Sequence, residues 1–281
     1  MRPLRVVSAD GAEADLLLSL PTSARTGVLW LPALGVTARN YHGFVAALAD
    51  EGIACALHEW RGAGSSDRRA SRECDWGYQE LLDLDIPASL GAVREECPDL
   101  RWIIAGHSLG GQLATLFAAL NSQAVDGLVI AGSGSPYWKV FRGWMRSALF
   151  LMPLIVRAVT AVSGYYPGKQ LGFAGRESRG LMRDWARTAR SGCYARYGKD
   201  RDSERALRDF SKPVLGIRLS EDRLCPEASL DWLLAKTPHA PTERVLLAPG
   251  DFSSGLADHF SWLKDPQPIA ASVAKWLQGI D

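Results

Sequence analysis

The sequence has 281 residues, of which 47% are hydrophobic and 22% charged, a composition typical of a globular chain with a large core. Because 32 basic residues balance 31 acidic ones, the net charge gives no reason to expect a nucleic-acid partner. The five cysteines are scattered without a Cys-x-x-Cys pair, which argues against a disulfide framework or a zinc site. Reduced thiols, and a start with no apolar stretch typical of a secretory signal, predict a cytoplasmic location.

The first half of the chain predicts a hairpin followed by alternating strands and helices. Two runs of alternating polarity, 4–8 and 15–20, flank a turn that contains Asp10-Gly11. Apolar runs and helical spacing then predict a strand at 28–31, a helix at 40–51, a strand at 53–57, a helix at 78–96 that starts or kinks at Pro87, and strands at 100–105 and 127–131. This alternation predicts a mostly parallel sheet covered by helices on both faces.

The alternation stops after residue 135 and resumes near residue 210. Residues 136–209 are aromatic, basic and helical in pattern, whereas later runs predict strands at 212–219 and 244–247 and a terminal helix at 269–277. A helical insertion between two strands of such a sheet most simply forms a lid over its carboxyl edge, where ligands bind. We therefore predict an α/β fold with a doubly wound sheet, a core of residues 1–135 and 210–281, and a lid of residues 136–209.

One stretch of this insertion, residues 147–156, is strongly apolar and is bracketed by Arg142, Arg146 and Arg157. It is shorter than the about 20 apolar residues that cross a bilayer. The simpler interpretation is a buried lid helix broken at Pro153. An acyl-binding wall or a contact with a lipid surface is the alternative.

The most informative motif is the segment 106–111, GHSLGG, which lies between a predicted strand and an apolar helical stretch at 112–120. A Gly-x-Ser-x-Gly pattern in this context is typical of a nucleophile elbow, because the tight turn requires small residues two positions before and after the serine. Both positions are glycine. The motif therefore predicts Ser108 as a nucleophile.

A serine hydroxyl becomes a good nucleophile only when a base accepts its proton and a carboxylate orients that base. Of the five histidines, His42 and His58 precede the serine in the chain. His107 is directed away by the turn, and His239 lies in a proline-flanked connection. His259 lies between the last predicted strand and the terminal helix, from which a base can return to the serine, so we predict it as the base.

The carboxylate is expected where the strand at 212–219 ends, at Asp222 or its neighbour Glu221, and we choose Asp222. The other usual position follows the strand at 127–131, but the segment 132–135 there is GSGS and contains no carboxylate. Weaker alternatives are Glu59, Asp251 and Asp258.

These residues resemble the α/β-hydrolase superfamily, in particular its lidded branch of serine aminopeptidases and monoacylglycerol-lipase-like enzymes, over nearly the whole chain. The segment 59–67, EWRGAGSSD, is similar to the family's Asp-x-Arg-Gly-x-Gly-x-Ser loop with Glu in place of Asp, and Asp222 and His259 match the family's acid and base. The resemblance implies an oxyanion hole formed by the backbone N–H groups of Leu34 and Leu109. The chain departs from the family at Pro32-Ala33, where members commonly carry His-Gly.

We therefore predict a serine hydrolase that cleaves an uncharged acyl ester, as carboxylesterases and lipases do, through Ser108, His259, Asp222 and an acyl-enzyme. No metal or organic cofactor is needed. A thioesterase, an amidase or peptidase and an acyltransferase use the same three residues, and a non-catalytic ligand-binding relative is the alternative outside the enzymes. The expected partner is a small acyl substrate, with no nucleic acid and no transmembrane segment. The residues that suggest an apolar lid are Trp138, Phe141, Trp144, Met145, Phe150, Tyr165, Tyr166 and Trp185.

Overall fold

The computed structural model describes residues 1–194 and 202–280. The strands are β1 (Arg2–Val7), β2 (Glu13–Ser19), β3 (Thr26–Leu31), β4 (Ala54–Leu57), β5 (Arg101–His107), β6 (Leu128–Ala131), β7 (Tyr166–Pro167), β8 (Arg176–Glu177), β9 (Val214–Leu219) and β10 (Thr242–Leu247). The helices are α1 (His42–Asp50), α2 (Tyr78–Glu80), α3 (Ile86–Glu96), α4 (Leu109–Leu120), α5 (Gly143–Ser163), α6 (Gly168–Leu171), α7 (Arg179–Ser191), α8 (Ser203–Asp209), α9 (Glu227–Leu234) and α10 (Gln267–Gly279).

Eight strands form one sheet in the order β1-β2-β4-β3-β5-β6-β9-β10. The pairs β1–β2 and β2–β4 are antiparallel, and every other neighbouring pair is parallel. The predicted N-terminal hairpin is β1 and β2, with Gly11 at a φ of 78° in the turn between them. This is the mostly parallel sheet of an α/β-hydrolase fold, so the predicted fold class is confirmed.

Successive residues of β5 pack on opposite faces of the sheet, because side chains alternate along a strand. Trp102 and Ile104 join the core under α3 and α4, whereas Ile103 and Ala105 join the core under α1 and α10. Both faces of the sheet are therefore buried under helices. This explains why the central strands consist of continuous apolar residues.

The parallel strands direct their carboxyl ends to one edge of the sheet. β3 ends there beside residues 32–35, β5 beside Ser108, β6 beside residues 132–135, and β9 beside Asp222. Open parallel sheets bind ligands at this edge, because the connecting loops there have room for functional side chains. The fold thus brings the predicted site residues to one region.

The predicted helix at 78–96 is irregular in the way that its proline requires. One turn of α2 leads into a wider π-helical turn at residues 81–85, and α3 begins at Ile86 with Pro87 in its first turn. Proline has no N–H to donate and its ring crowds the preceding turn, so the helix widens immediately before it.

The chain between β6 and β9 differs from the prediction in two ways. The predicted break at Pro153 is absent: α5 is continuous for 21 residues, and only Leu149, Val156 and Thr160 of α5 are buried. Since Leu149 and Val156 pack into the same core on either side of Pro153, tertiary contacts outweigh the lost helical hydrogen bond. The second difference is a short antiparallel pair of strands, β7 and β8, within a segment predicted to be helical.

The helix α5 is also longer and more exposed than the interpretation as a short buried helix requires. Among the described residues it is the one helix whose length and apolar composition suffice to cross a membrane, with a mean hydropathy of 1.6. A single helix of this kind does not establish a membrane span, so we assign none to it.

Candidate active site

Ser108 occupies a strained turn between β5 and α4. Its φ of 55° and ψ of −119° lie in a region that residues with a side chain rarely adopt. The flanking glycines have no room for a methyl group, because a Cβ at Gly106 would lie 2.3 Å from the Gly110 carbonyl carbon and one at Gly110 would lie 2.0 Å from the Leu31 carbonyl oxygen. The turn therefore needs glycine two residues before and two residues after the serine.

The structure brings Asp222 and His259 into direct contact. His259 Nδ1 lies 2.7 Å from Asp222 Oδ2, so the ring N–H donates to the carboxylate. Asp222 is buried, and its other oxygen accepts the backbone N–H groups of Leu224 and Cys225 at 2.8 and 2.9 Å. The carboxylate is thus fixed by three donors, and His259 is held with Nε2 free to face another group.

Ser108 and His259 line the same cavity, which has a volume of about 430 Å³. Phe141, Trp144, Met145 and further apolar side chains form most of its wall. Among the described residues, no Asp, Glu, Lys or Arg lines it. The cavity therefore suits an uncharged, largely apolar group.

The other candidate carboxylates are used by backbone N–H groups. Glu221 accepts the N–H of Ala257 at 3.2 Å, and Asp258 accepts that of Ser261 at 2.9 Å. Asp251 accepts a backbone N–H within its own turn at 2.7 Å. Each of these groups stabilises a loop near the sheet edge rather than orienting His259.

Glu59 holds the loop that follows β4. It is buried, accepts the Ala38 N–H at 3.1 Å, and leaves no room for a Cβ at Gly64. Burial raises the pKa of Glu59 above its ordinary value. The neighbouring Arg61 binds Asp10 and Asp85 instead, both at 2.6 Å.

The remaining histidines lie away from the serine. His42 and His239 are exposed. His58 is buried with Nδ1 2.9 Å from Ser89 Oγ, and burial lowers its pKa to about 4. It is therefore neutral at physiological pH.

The segment that departs from the family pattern forms a tight turn beside the serine. Val36 donates its N–H to the Ala33 carbonyl at 3.1 Å, and Gly35 takes a φ of 74°, the position where such a turn requires glycine. The Leu34 N–H makes no hydrogen bond to any residue that the structure describes. Leu109 is the first residue of α4, so its N–H has no acceptor within the helix.

A buried tyrosine holds this turn, and the sequence reasoning did not identify it. Tyr41 accepts the Ala33 N–H at 2.8 Å, which leaves its own O–H to donate to His107 Nδ1, 2.9 Å away. Burial, and to a lesser degree the nearby His259, lower the pKa of His107 well below its usual range. The neutral ring can therefore accept a hydrogen bond from the tyrosine O–H. A hydrogen-bonded chain thus connects the turn at Ala33 to the residue preceding Ser108.

Half of the residues that suggested an apolar lid line the cavity. Phe141, Trp144, Met145 and Trp185 do so, whereas the other four pack elsewhere. Gln112, four residues after Ser108, also lines the cavity, and its buried Oε1 has no partner among the described residues. The sequence signal that could have identified Gln112 is its position one helical turn after the serine.

No group of three or more His, Cys, Asp or Glu side chains suited to a metal ion occurs within residues 1–194 and 202–280. The arrangement described above consists of a strained serine, a histidine held by a buried carboxylate, and two unpaired backbone N–H groups. Nucleophilic acyl chemistry uses groups of these kinds.

Solved structures of known proteins share the fold of this chain. A thermophilic esterase from Thermogutta terrifontis has a TM-score of 0.64 at 13% identity, over 100% of this chain and 99% of that one. A monoacylglycerol lipase from Paleococcus ferrophilus has a TM-score of 0.64 at 15% identity, over 95% and 99%. The ferulic-acid-bound Est1E from Butyrivibrio proteoclasticus has a TM-score of 0.61 at 16% identity, over 98% of each chain. At these identities the likeness shows the fold.

No curated protein matches the sequence at a significant level. The family model for serine aminopeptidases of the S33 family matches residues 22–189, which is more than half of the chain. The chain therefore belongs to the S33 serine aminopeptidase family of serine hydrolases, as its sequence motifs predicted.

Proposed function

We propose that the chain is a carboxylic ester hydrolase in which Ser108, His259 and Asp222 act as nucleophile, base and acid. The observation that carries the proposal is that two features meet at one cavity. The serine is held in a strained turn, and the histidine that lines the same cavity is bound to a buried carboxylate at 2.7 Å. Strain of this kind is retained where it serves a function.

In the proposed reaction Ser108 Oγ attacks the carbonyl carbon of the ester while His259 Nε2 accepts the serine proton. Asp222 keeps the other proton on Nδ1 and stabilises the imidazolium. The tetrahedral intermediate collapses to an acyl-enzyme as His259 returns the proton to the departing alkoxide. Water, deprotonated by His259, then attacks the acyl-enzyme and releases the carboxylic acid.

The proposed oxyanion hole consists of the N–H groups of Leu34 and Leu109. The support is that neither group has an acceptor among the described residues, whereas the neighbouring Ala33 N–H donates to Tyr41. Each such donor contributes roughly a hundredfold to a thousandfold in rate. The turn does not need the family's His-Gly, because Gly35 supplies the positive φ two residues after the position of that glycine.

The apolar, uncharged cavity supports a substrate with an uncharged acyl group. Proteins with the same fold are described as an esterase, a monoacylglycerol lipase and a ferulic-acid-binding protein, which supports ester rather than phosphoester or glycoside chemistry. We propose residues 136–209 as the lid, within the limits of the described residues, because α5 and the segment 171–174 close one side of the cavity. The five free cysteines support a reducing, cytoplasmic location.

The test is a panel of esters, thioesters and amides with a graded acyl chain, measured with the wild type and with Ser108→Ala and His259→Ala. Ester hydrolysis that both substitutions abolish, in proteins that still fold, is the expected result. Preferred turnover of a thioester or an amide would replace the ester proposal with one of those activities. Appreciable activity after either substitution would overturn the assignment.

A fluorophosphonate probe tests the serine without assuming a substrate. We expect labelling of the wild type and of the control Ser272→Ala, whose serine lies on α10, and none of Ser108→Ala. A wild type that is not labelled but gains thermal stability from a ligand would support a non-catalytic binding protein instead.

We also propose that the outer face of α5 contacts an anionic lipid surface. Trp144, Leu151, Leu154, Ile155 and Val162 are all at least 40% exposed, and their spacing places them on one side of the helix. Residues 136–194 carry ten Lys and Arg residues but only two Asp and Glu residues, although the whole chain has a net charge of +1. An apolar helix face with surrounding cations is typical of interfacial binding.

Sedimentation with vesicles tests this contact. We expect the wild type to bind vesicles that contain an anionic phospholipid and Leu154→Asp to lose most of this binding. The matched control is Leu246→Asp, which places the same charge at an exposed leucine on β10. No binding to anionic vesicles, or equal losses in the two variants, would reject the contact.

A further inference from the structure

A second cavity, with a volume of about 280 Å³, adjoins the first. Leu34 and Leu109 line both cavities, and among the described residues no others do. On its other sides the second cavity is bounded by the loop at residues 60–64 and by the lid segment 175–177. The residues whose backbone N–H groups form the proposed oxyanion hole therefore separate two chambers.

The two chambers have opposite chemical character. Among the described residues no Asp, Glu, Lys or Arg lines the first, whereas the second is lined by four cations, Arg61, Arg69, Lys169 and Arg176, and by one carboxyl group, Glu177. Such a concentration of cations around one concave surface attracts anions.

Among the described residues, acidic partners neutralise only one of these four cations, Arg61. Arg61 binds the carboxylates of Asp10 and Asp85 at 2.6 Å and is nearly inaccessible to solvent. It is therefore a structural group, and we assign it no role toward a ligand.

The other three cations form no ion pair with any residue in the described part of the chain. Arg69 donates only to neutral backbone carbonyls, one of which is that of Gly64 at 3.0 Å. Arg176 donates Nε to the Ala70 carbonyl at 2.8 Å, and its guanidinium lies 3.9 Å from the centre of the Tyr165 ring. That arrangement fixes the guanidinium and leaves its terminal nitrogens available.

Glu177 does not compensate for these charges. Its Oε1 accepts the Gly175 N–H at 2.8 Å, and burial raises its pKa to about 7. Near neutral pH the carboxyl group is therefore uncharged in a large fraction of molecules, so it opposes an anion only weakly.

We propose that the second cavity binds an anionic group, a carboxylate or a phosphate, on the alcohol portion of the substrate whose acyl group occupies the first cavity. This inference rests on the proposed ester hydrolysis and specifies the substrate class. Arg176 provides a fixed donor pair for the planar or tetrahedral anion, and Lys169 and Arg69 add positive charge. The carbonyl carbon then lies beside Ser108, between the two chambers.

Matched esters test the proposal. The butanoyl ester of glycolate carries a carboxylate, that of glycolamide is its neutral counterpart, and that of ethylene glycol phosphate carries a phosphate. We expect the wild type to have a kcat/KM at least about tenfold higher for an anionic ester than for the neutral one, since one hydrogen bond to a charged group is worth about tenfold or more. The two anionic esters distinguish carboxylate from phosphate recognition.

Arg176→Gln and Lys169→Gln should each reduce this preference by several fold and leave the kcat/KM for the neutral ester unchanged. Arg157→Gln, at an exposed lid cation outside the cavity, is the control and should keep the preference. Because Lys169 is exposed and makes no described contact through its ammonium, its variant remains informative if Arg176→Gln perturbs folding. No preference in the wild type, or an undiminished preference in both variants, would overturn the proposal.

Binding to Ser108→Ala separates this inference from the proposed function. Calorimetric titration with the glycolate and glycolamide esters requires no turnover. Tighter binding of the anionic ester, lost in Ser108→Ala/Lys169→Gln, would support the second cavity even if no ester were hydrolysed. Equal binding of the two esters by Ser108→Ala would reject it even if the wild type hydrolysed both.

Discussion

Tyr41→Phe removes one hydroxyl group that joins the turn at Ala33, beside the proposed oxyanion donor Leu34, to the turn at Ser108. The hydroxyl accepts the Ala33 N–H at 2.8 Å and donates to His107 Nδ1 at 2.9 Å, and all three residues are at most 1% exposed. The variant therefore leaves a buried N–H and a buried ring nitrogen unpaired, at a cost of about 1–3 kcal/mol in the free energy of unfolding. For a chain of this size that corresponds to a fall in Tm of roughly 5 °C.

The effect on activity should exceed the effect on stability. Without the hydroxyl, Ala33 can rotate, and the adjacent Leu34 N–H loses its direction toward the oxygen of the transition state. Since one oxyanion donor is worth roughly a hundredfold to a thousandfold, a misdirected donor should lower kcat by about tenfold to a hundredfold and change KM little. A boronic-acid transition-state analogue should bind more weakly by a similar factor.

The assay is steady-state hydrolysis of one ester together with inhibitor binding and thermal unfolding. Tyr166→Phe is the control, because it deletes a hydroxyl from a second buried tyrosine for which the described residues provide no hydrogen-bond partner. A normal kcat in a destabilised Tyr41→Phe would show that the hydroxyl only stabilises the fold. Unchanged stability would show that the two hydrogen bonds are not formed.

Three further predictions have separate expected outcomes. Asp222→Asn should lower kcat by roughly four powers of ten, because the amide no longer fixes the tautomer of His259. Glu221→Gln should change kcat little. A larger loss of kcat in Glu221→Gln than in Asp222→Asn, measured by steady-state kinetics, would place the acid at Glu221. In urea unfolding, Gly110→Ala should destabilise the protein by about 3 kcal/mol because the added methyl group meets backbone atoms. Gly91→Ala on α3 places its methyl group in open space and should stabilise the protein by about 0.5–1 kcal/mol. Shifts of the same sign in the two variants would contradict this prediction. The pKa of Glu177 rises from 4.5 to about 7 on folding. The free energy of unfolding of the wild type should therefore fall by about 3 kcal/mol, relative to that of Glu177→Gln, as the pH rises from about 4.5 to about 7. An equal gap in unfolding free energy at pH 4.5 and pH 8 would refute it.

The turn at Ser108 could be predicted because its steric requirements appear in the sequence as two glycines at fixed spacing around the serine. The two glycines flanking Ser108 satisfy a steric condition imposed by backbone within a few residues and by the end of β3. Asp222 and His259 could be placed because parallel strands bring their carboxyl ends to one edge, so chain order limits which acid and base can meet. Their contact in the structure joins residues 37 positions apart.

Features that depend on contacts between distant segments could not be predicted in the same way. In the sequence Tyr41 is an ordinary aromatic residue within the helix predicted at 40–51. Its role follows only from the position of its hydroxyl beside Ala33 and His107. The continuity of α5 through Pro153 likewise depends on packing on both sides of the proline. A local rule for proline therefore gave the wrong helix end.

The contact between Gly35 and Gly175 couples the proposed lid to the turn that carries the proposed oxyanion donor Leu34. A Cβ at Gly35 would lie 2.4 Å from the Gly175 nitrogen, so the backbone of the lid segment rests directly on the turn that carries Leu34. A chimera that received the lid of another hydrolase would need an equally close backbone approach at this point. We therefore expect that exchange of the proposed lid changes the geometry of the turn that carries Leu34 together with the wall of the cavity.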